Sequence, residues 1–178
     1  MSSAKVLNST PQFSGRVIKV SVDEVRLPNG THAQLEVVRH PGGAAAVAID
    51  DTDRVCLLRQ YRYVANGWVW ELPAGKLEPA EPPLLTAQRE LVEEAGLEAR
   101  NWASLGTSLS SPGVFTEVIH LFLATGLSTA PAAPEANEVI EVHWVPFTEA
   151  CERALTGDIN DSKTVMGLLR AWRQRKNP

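Results

Sequence analysis

Gly75-Lys76-Leu77-Glu78-Pro79-Ala80-Glu81-Pro82-Pro83-Leu84-Leu85-Thr86-Ala87-Gln88-Arg89-Glu90-Leu91-Val92-Glu93-Glu94-Ala95-Gly96-Leu97 is the stretch that decides how this chain folds. Proline is tolerated in a first helical turn and glycine ends helices in the left-handed conformation, so a helix is expected from Pro82-Pro83 to Gly96. Residues three and four apart share a helix face. Glu90, Glu93 and Glu94 then project into one narrow arc, with Leu84, Leu91 and Ala95 on the opposite, core-facing side. Three crowded carboxylates repel unless a cation sits among them, and hard oxygen donors suit Mg²⁺ or Mn²⁺. An acidic, solvated helix face is the bland alternative. Two details weigh against it. Arg89 and Glu93 stand at i, i+4, where the arginine can fix one carboxylate without consuming the cluster, and the loop Leu72-Pro73-Ala74-Gly75-Lys76 must deliver the chain to the helix.

The spacing Gly75, five residues, Glu81, seven residues, Arg89-Glu90-Leu91-Val92-Glu93-Glu94-Ala95-Gly96-Leu97 matches every fixed position of the Nudix box, and the chain resembles the Nudix hydrolases. The resemblance implies an α+β fold, an α/β/α sandwich around a mixed sheet, with an N-terminal antiparallel hairpin. It implies divalent-metal-dependent hydrolysis of a phosphoanhydride, with Glu90 and Glu94 as first-choice ligands, Glu93 sharing or supporting the metal, and the Ala74 carbonyl as a further donor. Arg89 is the cation that braces the cluster.

Outside the box the chain is similar to the ADP-ribose pyrophosphatase subgroup. Arg59-Gln60-Tyr61-Arg62, Trp70-Glu71-Leu72-Pro73-Ala74-Gly75-Lys76-Leu77-Glu78 and Ser111-Pro112-Gly113 carry the similarity, with Glu117 where that subgroup has a substrate-contacting glutamate. These imply Arg62, Glu71, Pro112 and Glu117 as substrate-binding residues. The physical reasons are a guanidinium fork for a diphosphate and a carboxylate for the two donors of a ribose diol. The plain alternatives are a surface arginine, a turn at Pro112-Gly113 and a solvated strand end at Glu117. A proton acceptor for the attacking water is expected on the loop before the penultimate strand. Glu138 and Glu135 are the candidates, and the chain has Ala136 where related members often carry a second acid. The implied reaction is cleavage of ADP-ribose to AMP and ribose 5-phosphate. Another nucleoside diphosphate sugar as substrate, or a non-catalytic nucleotide-sugar sensor, are the alternatives.

The remaining composition narrows the class. The chain has 178 residues, 44% of them hydrophobic, enough for one core. A net charge of −4 gives no general attraction for nucleic acid or anionic membrane. No apolar run approaches a bilayer span, and Met1 to Gln12 lack a signal-peptide core. Cys56 and Cys151 have no metal-binding spacing, so a reducing cytoplasm is the simplest inference.

Strands are expected over Val17–Val25, Leu35–Val38, Ala44–Ile49, Val55–Tyr61, Trp68–Leu72, Trp102–Ser108, Val118–Ala124 and Val139–Val145. Turns are expected at Asn29-Gly30 and Asp50–Asp53. Ser128–Asn137, rich in Ala and Pro, reads as a loop. Thr148 is expected to cap one terminal helix, ended by Gly157, and Asp161 or Ser162 the next. Residues 1–40 form a strand region expected to dimerise, and 41–178 the hydrolase domain. The hairpin Val17–Val38 has no obvious cover for its edge, which together with the family resemblance gives a two-fold homodimer.

Overall fold

The computed structural model describes residues 3–134 and 138–176. The chain divides into two units, one running up to Gly42 and taking in Leu109–Val118, the other made of Gly43–Ser108 and the chain from Ile119.

The first unit is a meander of β1 (Lys5–Ser14), β2 (Lys19–Arg26) and β3 (His32–Arg39), in the order β1-β2-β3 and antiparallel throughout. Asn29-Gly30 makes the expected turn, with Gly30 at φ 88° and its N–H donating to the Leu27 carbonyl at 2.8 Å. β1 was not expected. Every residue of it is exposed, so it shows no alternating apolar face. It corrects the reading of β2 as an uncovered edge, because β1 lies along that edge and makes β2 the central strand. Pro11 is tolerated because β1 is itself an edge strand, with irregular register between Pro11 and Phe13. Asp23 ties the three strands: Ser9 and Ser21 hydroxyls donate to it at 2.6 and 2.8 Å, and Arg39 donates at 2.5 Å.

The second unit is built from β4 (Gly43–Ala48), β5 (Arg54–Arg62), β6 (Gly67–Glu71), β7 (Ala74–Lys76), α1 (Pro83–Ala95), β8 (Leu97–Leu109), β9 (Val118–Thr129), β10 (Ile140–Pro146), α2 (Phe147–Thr156) and α3 (Ser162–Lys176), the end residues Leu109 of β8 and Val118 of β9 counting with the first unit. Its strands make two sheets, β10-β5-β6 and β7-β4-β9-β8. The second is mixed, since β4 runs parallel to β9 and antiparallel to β7. β4 is the hub, buried along its whole length. Side chains alternate across a strand. Ala45, Val47 and Ile49 enter one core with residues of α2 and α3, while Ala46 and Ala48 enter another with Leu91 of α1. That alternation is the α/β/α layering expected from the sequence. Small residues let the helices come close: a Cβ on Gly167 of α3 would meet Leu72 Cδ1 at 2.7 Å.

The boundaries of α1 agree with expectation, Pro82 preceding it and Gly96 closing it at φ 64°. Gly157 likewise closes α2. Asp161 caps α3, accepting from the Thr164 N–H at 3.0 Å and its hydroxyl at 2.6 Å. Thr148 does not cap α2. That helix starts at Phe147 after Pro146, without a side-chain cap, because the strand turns directly into it. Among the described residues no helix is long and apolar enough to cross a membrane.

Candidate active site

Gly75 shows why the loop before α1 needs a glycine. A Cβ there would stand 1.7 Å from Glu90 Oε1. The Glu90 carboxylate therefore lies directly against the backbone of β7, in space that any other residue would fill. One residue earlier, the Ala74 N–H donates to Glu94 Oε2 at 2.8 Å. β7 and α1 thus present a strand backbone and two glutamates to each other.

The helix face is not arranged as its charge pattern suggested. Glu90 and Glu94 are among the buried residues of α1, beside Thr86, Ala87 and Leu91. The carboxylates therefore do not point away from the protein interior, since β7 covers them. Glu93 is the most exposed of the three, its side chain 38% accessible. Burial raises the proton affinity of both covered glutamates. It pushes Glu94 up to about 8, assisted by the like charges of Glu90 and Glu138 and opposed by the Ala74 N–H and Arg62. Burial also raises Glu90, with Glu93 and Glu138 adding to the effect and Arg89 opposing it.

Arg89 is the brace that the i, i+4 spacing implied, and it does more. Nη1 donates to Glu93 at 2.9 Å and to Glu90 at 2.7 Å. Nε and Nη2 both reach Glu81 at 3.1 Å, and Nη2 reaches the Lys76 carbonyl at 3.3 Å. In the sequence Glu81 is a spacing position, and in the fold it is a partner of Arg89. It is pulled down to about 2, first by Arg89 and then by the Thr86 hydroxyl and the Glu78 N–H. This carboxylate closes the loop onto the helix, and its signal was its fixed place eight residues before the arginine.

A second network includes Arg62, whose charge acts on Glu94. Arg62 Nε and Nη2 donate to the two oxygens of Glu71 at 2.7 and 2.9 Å, a bidentate pair. Lys163 also donates to Glu71. Lys163 gave no sequence signal, because its partner lies 92 residues away.

The structure brings Ala74, Glu90, Glu93, Glu94, Arg89, Arg62, Glu71 and Glu138 into one unit. Pro112 and Glu117 belong to the other. There Pro112-Gly113 forms a turn closed by the Val114 and Phe115 N–H groups on the Ser111 carbonyl, and Glu117 lies 3.2 Å from His40 Nδ1. Glu135 lies outside the described residues.

Hard carboxylate donors, buried and unevenly neutralised, fit a divalent cation. Among the described residues no three His, Cys, Asp or Glu side chains already converge as a cage. Glu90 and Glu93 are instead held by Arg89, so the donors are present but engaged elsewhere.

Known proteins resemble this chain in sequence and in fold. The NUDIX domain model matches residues 39–167. Methanol dehydrogenase activator of Bacillus methanolicus is 40% identical over 166 residues, 92% of this chain and 90% of that protein. ADP-ribose pyrophosphatase of Mycobacterium tuberculosis is 39% identical over 168 residues, covering 93% and 81%. A crystal structure described as an ADP compounds hydrolase superposes with a TM-score of 0.84 at 20% identity, over 99% of this chain and 96% of that one, a likeness of fold.

Proposed function

Because this chain belongs to the Nudix family, whose members generally need a divalent cation, we propose that it hydrolyses the diphosphate bond of ADP-ribose, giving AMP and ribose 5-phosphate. The observation that carries the reading is the pair Glu90 and Glu94, buried beside β7 with raised proton affinity. The ADP-ribose pyrophosphatase of M. tuberculosis, 39% identical along most of the chain, supports the substrate.

Glu90, Glu94, Glu93 and the Ala74 carbonyl would hold Mg²⁺ or Mn²⁺. Bound there, the cation supplies positive charge against the anionic oxygens of the phosphoanhydride. The chain's own residues do the rest. Arg89 keeps Glu90 and Glu93 in place. Glu138, whose charge acts on both Glu90 and Glu94, accepts the proton of the attacking water, with Glu135 as the second candidate. Arg62, aligned by Glu71, binds the diphosphate as a cation. Glu117 accepts hydrogen bonds from a ribose, and Pro112 shapes the turn that precedes it. The active form is a two-fold homodimer of a cytoplasmic enzyme, associating through the N-terminal sheet, where the fully exposed β1 offers a long edge.

The decisive experiment is a panel of ADP-ribose, other nucleoside diphosphate sugars, diadenosine polyphosphates and nucleoside triphosphates with Mg²⁺ and with chelator, products identified. AMP and ribose 5-phosphate formed fastest from ADP-ribose, and only with metal, is the expected result. Preference for another sugar nucleotide would reassign the substrate, and tight binding without turnover would mean a sensor. Sedimentation equilibrium tests assembly: a single species near 19.4 kDa would rule out the dimer.

A further inference from the structure

Arg62 is the last residue of β5, and the turn after it does not hold it. Tyr63 and Val64 are 88% and 97% exposed, and the Arg62 side chain is itself 42% exposed. A long, half-solvated arginine loses rotamer freedom when it is fixed for a ligand. Here it is already fixed by Glu71, which is buried and accepts both Arg62 nitrogens.

Glu71 is positioned in its turn from α3. Lys163 donates to Glu71 Oε2 and stands 3.0 Å from Asp161 Oδ2. Asp161 caps the same helix through Thr164. The Thr164 hydroxyl then accepts from the Leu72 N–H at 2.9 Å. Two successive residues of α3, Lys163 and Thr164, are thus stitched to two successive residues at the end of β6, Glu71 and Leu72. The group balances two cations, Arg62 and Lys163, against two carboxylates, Glu71 and Asp161. A buried carboxylate with paired charge is tolerated, and one that loses a partner is costly. Arg62 and Glu94 lie within electrostatic reach of each other, so the group acts on one of the proposed metal ligands.

We propose that Lys163 is the positioning residue for Arg62. From the first turn of α3 it holds the Glu71 carboxylate in the orientation that presents the Arg62 guanidinium to a diphosphate. Lys163 touches neither substrate nor metal. Its effect reaches the ligand only through Glu71 and Arg62. The inference rests on the proposed role of Arg62 as a diphosphate contact.

The test compares Lys163→Met, Lys163→Arg, Arg62→Ala and the double variant Lys163→Met/Arg62→Ala, with ADP-ribose and Mg²⁺. Lys163→Met is expected to raise KM about tenfold with kcat within about twofold of wild type, and Lys163→Arg to restore KM. In the Arg62→Ala background, Lys163→Met should add less than about twofold, because residues acting through one contact are not additive. A second readout needs no turnover. The Arg62 Nε–H resonance in ¹⁵N NMR, assigned by its loss in Arg62→Ala, should be protected from exchange in wild type and Lys163→Arg and lose protection in Lys163→Met. Should Lys163→Met fail to fold, Lys163→Gln carries the same comparison. An unchanged KM with an unchanged resonance, or a KM effect that persists in full without Arg62, would overturn the proposal. If wild type does not cleave ADP-ribose, the proposed reaction fails by itself, and the NMR comparison still decides the role of Lys163.

Discussion

Glu71 and Glu94 are two carboxylates of nearly equal burial in the same unit, 3% and 4% accessible, treated in opposite ways. Burial alone would raise the proton affinity of both. At Glu71 the Arg62 fork and the Lys163 ammonium overcome it, and the group stays below the ordinary carboxylate range. At Glu94 the Ala74 N–H donates, two further carboxylates add their charge, and the group rises to about 8. The protein has cations to spare for Glu71 and for Glu81. Among the described residues no cation pairs directly with Glu94, which separates a structural carboxylate from one suited to an external cation.

Removing the charge at each position should therefore have opposite consequences, and the larger effect is on activity. Glu94→Gln keeps an oxygen for the Ala74 N–H and loses a hard anionic donor. Turnover should fall roughly 10²-fold or more, about 3 kcal/mol of transition-state stabilisation. The metal-free protein should become more stable above pH 4.5, since the amide spares the fold the uptake of a proton below about 8 and a buried charge above it. The pH dependence follows from the direction of the shift. Between the ordinary value of 4.5 and about 8, folded Glu94 keeps a proton that the unfolded chain has released. Stability without metal then declines as pH rises through that window and levels off above it. Thermal melts in chelator across this range check the slope, which Glu94→Gln should flatten.

Glu71→Gln is the counter-experiment. It strips two cations of their partner, and a loss of about 2 kcal/mol is expected, less than for a fully buried pair because Arg62 is partly solvated. The pH signature reverses. A carboxylate held below its ordinary value contributes stability above 4.5, lost as pH falls through its folded value. Urea melts at neutral and acid pH should show the variant penalised at neutrality and converging with wild type in acid. A Glu71→Gln protein as stable as wild type would erase the distinction between the two sites.

The sequence made one side of this comparison readable and hid the other. Glu90, Glu93, Glu94 and Arg89 lie within one helical turn and a half, where spacing maps directly onto geometry, and the Arg89–Glu93 pair forms as expected. Gly96, Gly157, Asn29-Gly30 and Asp161 were legible for the same reason, each a local conformational device. Charge pattern alone places Glu90 and Glu94 toward solvent, and the three residues of β7 are too short a run to signal the strand that covers them. β1 was invisible because a fully exposed edge strand has no period-two apolar face. Lys163 was invisible because only the tertiary fold brings α3 to the end of β6.

Gly75→Ala probes how closely Glu90 must approach β7. The new Cβ would overlap the Glu90 carboxylate, the far end of a flexible side chain that can swing aside. Stability should change by less than about 1 kcal/mol. Turnover should fall about tenfold, equal to about 1.4 kcal/mol, with a higher metal concentration needed for half-maximal rate. A metal titration of the variant checks both. Wild-type metal dependence would mean that Glu90 is free to bind metal from elsewhere.

The smallest expected effect lies at Asp161, which supports Glu71 from two steps away. Its carboxylate caps α3 and flanks Lys163. Asp161→Ala removes the cap, at a cost of about 1 kcal/mol. It also frees Lys163 from a competing partner, so the Lys163–Glu71 pair should tighten as the helix start frays. Asp161→Asn separates the two effects, since the amide oxygen still caps but no longer pairs with the ammonium. Chemical denaturation should place Asp161→Asn close to wild type and Asp161→Ala below it. If both variants lose the same amount, the Asp161–Lys163 ion pair and not the cap is what matters.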